Sequence, residues 1–171
     1  MLSVHGPQLR QVISHRLAAA DAVVICAVGN DFRGDDAVGI LVGRAMMESG
    51  PIRRTRVLIC GELPENYLSE IMASKPSHVV LVDAASTGKP PGSIVLVEHD
   101  EIYGGTISTH RLPLSFLAKL IAMKSQRTVD VFVLGIQVGQ CDFGSEVSGE
   151  VRRAATALGR ILVGVLNEEQ A

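Results

Sequence analysis

The sequence predicts a three-layer α/β/α sandwich built on a mostly parallel sheet. Three observations carry this. Short β-branched runs alternate with helix-patterned stretches over residues 8–85, and a β-α-β-α-β order gives a parallel sheet with covering helices. The connection "ASTGKPPG" is too short for a crossover helix, which needs about a dozen residues, so the strand after it must run antiparallel. A long amphipathic stretch closes the chain.

Leu9, Val12, Ile13 and Leu17 stand at helical spacing in residues 8–18, so the N-terminal extension over residues 1–20 is expected to be helical. "DAVVICAVG" (21–29) is β-branched and ends in Gly, as a buried strand does. From Asp35 onward Val38, Leu41, Val42, Ala45 and Met46 mark one helical face, closed by "SGP". "RVLIC" (56–60) reads as the second strand. In "LPENYLSEIMASKP" Pro64 suits a first helical turn, and Leu68, Ile71 and Met72 face inward. "HVVLVDAA" (78–85) is the third strand, and "SIVLVEHD" (93–100) is the antiparallel one, expected at an edge. "LPLSFLAKLIAMK" (112–124) is helical, with Leu112, Phe116, Leu120 and Met123 near one inward stripe. "VDVFVLGIQ" (129–137) is a further strand. The last helix turns Val147, Val151, Ala154, Leu158, Ile161, Leu162 and Val165 inward. With no repeat, low-complexity tract or linker, residues 1–171 read as one domain.

Composition excludes several classes. The 171 residues are 47% hydrophobic and 20% charged, with a net charge of -2 and no Trp, which gives no footprint for nucleic acid. No apolar run approaches the roughly 18 residues of a membrane span. The N-terminus carries His and Arg within it and lacks the apolar core of a secretory signal. Cys26, Cys60 and Cys141 form no CxxC, and reduced core thiols in a cytoplasmic protein are expected. Residues 27–39 do not match GxGxxG, "STGKP" lacks the upstream Gly of a phosphate loop, and GxSxG and HExxH are absent.

What remains is a set of polar residues at the carboxyl ends of the predicted parallel strands, where open α/β sheets bind ligands. The first strand delivers Asn30, Asp31, Asp35 and Asp36, the second Glu62 and Asn66, and the third Asp83. The loop before residues 112–124 delivers His110. Carboxylates and an imidazole from three segments suit a divalent metal such as zinc, nickel or manganese. Each residue also has a plainer role. Asp35 or Asp36 can cap the following helix, Asp83 can bind nearby amides, and a histidine such as His110, His5, His15, His78 or His99 can be a surface or capping residue.

At these residues the chain resembles the [NiFe]-hydrogenase maturation endopeptidases. The resemblance rests on "AVGN" and "GDDAVG", on "VVLVDAAS" and on "STHRLPL", in that order across residues 21–166. "LPEN" and "VLGIQ" are similar to the branch that serves formate-hydrogenlyase-type hydrogenases. Ala27 and Ala37 depart from glycines usual in the family, but both are small. The resemblance implies a five-stranded mixed sheet with one antiparallel strand. It implies metal contacts from Asp36, Asp83 and His110, with Asp36 and Asp83 as catalytic candidates. It also implies a substrate, the hydrogenase large-subunit precursor, that brings its own nickel and loses a C-terminal extension to hydrolysis. A cytoplasmic monomer is expected. Metal activation of water and an aspartic-type carboxylate pair both remain open as mechanisms. Two other classes stay in view, a metallochaperone-like module that docks without cutting and a nucleotide-binding α/β protein.

Overall fold

A computed structural model describes residues 2–4, 6–98 and 114–168. The elements run β1 (Leu2–Val4), α1 (Gly6–Leu17), β2 (Val23–Val28), a 3₁₀ turn (Gly34–Ala37), α2 (Val38–Glu48) and β3 (Thr55–Gly61). A second 3₁₀ turn (Pro64–Tyr67) then leads through α3 (Leu68–Ala73), β4 (His78–Ala85), β5 (Ile94–Val97), α4 (Leu114–Lys124) and β6 (Asp130–Gln137) to α5 (Gly149–Asn167).

The sheet order is β1-β5-β6-β4-β2-β3. β2, β3, β4 and β6 are parallel, and β5 runs antiparallel to β6. These five strands are the expected mixed sheet. The expected edge position of the 93–100 strand needs correction, because β1 pairs antiparallel with β5 and covers its outer side. A three-residue strand gives too short a period-two signal to read from sequence.

Alternation along the strands divides the core into two layers. Val23 and Ile25 of β2, with Val80 and Val82 of β4, pack with α1, α2 and α5. Val24, Cys26 and Val28 of β2, with Val79 and Leu81 of β4, pack with α3 and α4. By the same alternation Asp83 belongs to the α3–α4 face. The last helix buries Val151, Ala155, Leu158, Leu162 and Val165. Val147 lies ahead of it, and Ala154 and Ile161 are only half-buried.

The stripe assigned to the 112–124 helix is also corrected. Leu114, Leu117, Ala118 and Ile121 are buried, whereas Phe116 and Met123 are exposed and Leu120 is half-buried. Leu112 lies outside the described residues. The helix is apolar on nearly every side, so spacing alone could not choose a face.

The N-terminal helix is tied down at the amino end of the sheet. Arg16 of α1 donates to Asp130 at 2.5 Å and to Glu98 at 2.6 Å, and its guanidinium lies 4.9 Å above the Phe132 ring. His78 is nearby, 3.7 Å from Asp130 and buried rather than at the surface. Desolvation there pushes its imidazole below the usual histidine range, against the upward pull of Asp130. His15 is exposed, as expected, while His5 and His99 lie outside the described residues. Cys26 and Cys60 are buried and reduced, and the Cys26 thiol is held well above its ordinary pKa by its hydrogen bond with Cys60 and by burial.

Candidate active site

The site is built at the carboxyl ends of β2 and β4. Ala27 of β2 pairs with Val82 of β4, so Val28 stands level with Asp83 and Gly29 one step beyond it. The chain turns sharply there. Gly29 has a φ of 153°, and a Cβ on it would sit 2.3 Å from the Asp36 carbonyl oxygen. The approach of that carbonyl is used, since the Asn30 N–H donates to it at 3.2 Å. Gly39, in the first turn of α2, lies so close to both strand ends that a Cβ would fall 2.1 Å from the Val28 oxygen and 2.3 Å from the Val82 oxygen. These two glycines bring the start of the helix against the strands, and the 3₁₀ turn carrying Asp36 packs on β4, which carries Asp83.

The three aspartates of the loop have separate places. Asp31 makes a two-pronged, exposed ion pair with Arg44 of α2, at 3.0 and 2.7 Å. Asp35 is fully buried and accepts three backbone N–H groups, from Gly139 at 2.8 Å, Gln140 at 3.1 Å and Ser148 at 2.7 Å. It does not cap its own helix, as the sequence allows; the helix start it serves is that of α5, through Ser148. Asp36 is 3% exposed and Asp83 is 1% exposed. Oδ1 of Asp83 accepts the Ala84 N–H at 2.8 Å, so the plainer reading of Asp83 as an amide-binding strand end is partly realised. Neither helix start after the loop uses an aspartate side chain as its own cap.

Asn30 shapes the loop through its side-chain oxygen, which accepts the Phe32 N–H at 2.8 Å. Glu62 and Asn66 are exposed beyond the end of β3. The loop after β6 belongs to the site although the sequence reading left it out. The Asp35 N–H donates to the Gln140 carbonyl at 2.9 Å and Arg33 Nε to the Cys141 carbonyl at 3.1 Å, so this loop lies against the acidic one; burial pushes the Cys141 thiol up, and the Asp36 and Asp35 carboxylates push it further. The rule that selected the ends of β2, β3 and β4 applies equally to the end of β6, where "QVGQCDFG" lies. Among the described residues no group of three or more His, Cys, Asp or Glu side chains is placed to hold a metal ion. His110, the third ligand implied by the resemblance, lies outside the described residues.

The family model for hydrogenase maturation protease matches residues 40–164, most of the chain. The chain belongs to the hydrogenase maturation protease family. The hydrogenase 3 maturation protease of Escherichia coli strain K12 is 32% identical over 115 residues, 67% of this chain and 71% of its own. The crystal structure of the [NiFe] hydrogenase maturation protease HycI from Thermococcus kodakarensis KOD1 is similar, with a TM-score of 0.85 and 33% identity over 92% of this chain and 99% of that one. The solution structure of the endopeptidase HycI from Escherichia coli has a TM-score of 0.73 and 27% identity, covering 84% and 90% of the two chains. The family span takes in Asp83 and begins just after Asp36.

Asp35 yields a prediction of its own. Burial pushes its carboxyl upward, but the amides of Ser148, Gly139 and Gln140 outweigh that and hold it below the ordinary range. Asp35→Asn must set an NH₂ against at least one of three N–H donors. The expected loss is about 2–4 kcal/mol of stability at neutral pH. A depressed folded-state pKa stabilises above the unfolded value, roughly 3.9, and that contribution is lost as pH falls through the folded value. The gap between wild type and variant should therefore narrow below about pH 4. Urea unfolding from pH 7 to pH 3 measures it, and a gap that stays constant would show that the Asp35 charge is not what holds the loops.

Proposed function

We propose that the protein is the endopeptidase that removes the C-terminal extension of a nickel-loaded [NiFe]-hydrogenase large-subunit precursor. It would act as a monomer in the cytoplasm. The observation that carries the reading is the placement of Asp36 and Asp83, two buried carboxylates on adjoining elements at the carboxyl ends of β2 and β4, in a chain of this family. In this reading Asp36, Asp83 and His110 complete the coordination of the nickel that the substrate brings, which seats the scissile bond beside them. Asp36 or Asp83 then takes a proton from the attacking water and returns it to the departing amide nitrogen. Water adds its oxygen to the carbonyl carbon, and the C–N bond breaks.

The reading is tested by incubating the protein with nickel-loaded precursor and measuring product mass. A single cut that releases a defined C-terminal fragment is expected. Tight binding without a fragment would favour a docking module that does not cut, and neither binding nor cutting would remove the precursor as substrate.

A further inference from the structure

We infer that Phe32 and Phe143 form the surface on which the precursor polypeptide is seated for cleavage, an inference that rests on the protein substrate proposed above. The two rings stack with centroids 6.2 Å apart and planes inclined by 24°. Phe32 is 69% exposed and Phe143 is 81% exposed. Stacked phenyls left in water are an unusual surface feature, and aromatic residues, Phe among them, are enriched at protein interfaces relative to the rest of the surface.

The exposure is held in place by hydrogen bonds. The Gly144 N–H donates to the Phe32 carbonyl at 2.7 Å, and Arg33 Nε donates to the Cys141 carbonyl at 3.1 Å. Asp35 joins the same two loops through Gly139 and Gln140. The loop after β2 and the loop after β6 thus form one cross-bonded lip that presents both rings outward.

The occupant follows from continuity with the candidate active site. Phe32 stands four residues before Asp36 in the same loop. Leu63, also exposed, follows the carboxyl end of β3. Phe116, also exposed, is in the first turn of α4; that helix ends next to the amino end of β6, so its first turn is at the carboxyl end of the sheet. Four of the six exposed large hydrophobic residues among those described therefore rim the end of the sheet that holds Asp36 and Asp83. A second copy of this chain seated there would cover the acidic loop that the substrate has to reach. An extended peptide with apolar side chains on one side would cover the rings and reach the carboxylates at once.

The test compares wild type, Phe32→Ser/Phe143→Ser and Met123→Ser on nickel-loaded precursor, reading KM and kcat by product mass. Met123 is equally exposed but sits at the far end of α4, beside the amino end of the sheet. The double variant is expected to raise KM about tenfold or more while kcat holds within about threefold, with Met123→Ser unchanged. An unchanged KM overturns the proposal. So does an equal rise in Met123→Ser, or a fall in kcat alone, which would mean that the rings only order the catalytic loop. A wild-type dimer by light scattering that the double variant dissociates would assign the rings to self-association instead. If the double variant melts well below wild type, Phe143→Ser alone carries the comparison, with at least a threefold rise in KM expected. Wild type that neither binds nor cleaves the precursor defeats the functional reading, whereas wild type that cleaves beside an unaffected double variant defeats only the seating surface.

Discussion

Asp36→Asn and Asp83→Asn are each expected to lower processing of nickel-loaded precursor by about 10²-fold or more, the range for losing a general base or a charged metal contact. Their folds should survive. The turn that carries Asp36 is closed by its main-chain oxygen on the Asn30 N–H, which the substitution leaves alone. An Asn at position 83 keeps an Oδ1 to accept the Ala84 N–H. Melting temperatures within a few degrees of wild type are therefore expected, in contrast to Asp35→Asn, whose three amide partners make it a stability variant first. His110→Ala should behave as the two catalytic variants do. Turnover and thermal melting on the same preparations separate the classes. Near-wild-type turnover in both Asp36→Asn and Asp83→Asn would end the catalytic assignment.

The parallel strands were legible because their β-branched runs are bounded by Gly, Pro and Asp, and because buried parallel strands cannot alternate with polar residues. The same pattern made Asp83 conspicuous, since a charge straight after "VVLV" is costly to bury without a purpose. The role of Asp35 was not legible. Its partners lie more than a hundred residues away at Gly139, Gln140 and Ser148, and nothing local distinguishes it from Asp36. The buried face of α4 was misread for a different reason. Phe116 and Met123 fit a helical stripe as well as Leu117 and Ile121 do, and only the packing into the core layer shared with α3 selects between them. Phe116, turned outward, joins the apolar residues at the carboxyl end of the sheet. Arg16 shows the same limit, because an ion pair reaching from α1 to Asp130 and Glu98 has no signature in the sequence around it.

Cleavage is expected to require nickel in the precursor rather than metal stored on the enzyme. A hydrolytic zinc site usually holds its ion with three strong protein ligands, most often rich in histidine. The candidate set here is Asp36, Asp83 and His110, two hard carboxylates and one imidazole, with neither HExxH nor CxxC to add to it. Such a set should bind free Ni²⁺ or Zn²⁺ weakly and engage firmly only an ion whose remaining ligands come from the substrate. Affinity for the precursor would then depend on whether the ion is already in place, because RT ln of the ratio of loaded to apo dissociation constants is the free energy the nickel contributes. The dependence also makes cutting a checkpoint, since an apo precursor lacks the ion that aligns its scissile bond. Metal-stripped enzyme is offered loaded and apo precursor side by side, with a third arm in which the enzyme is first incubated with zinc. Cleavage of the loaded precursor alone is the expected outcome. Equal cleavage of both precursors would show that the carboxylates work without the ion. Activity on the apo form restored by zinc on the enzyme would mean that the three residues form a self-sufficient metalloprotease centre, in which case the substrate's nickel has no part in the hydrolysis.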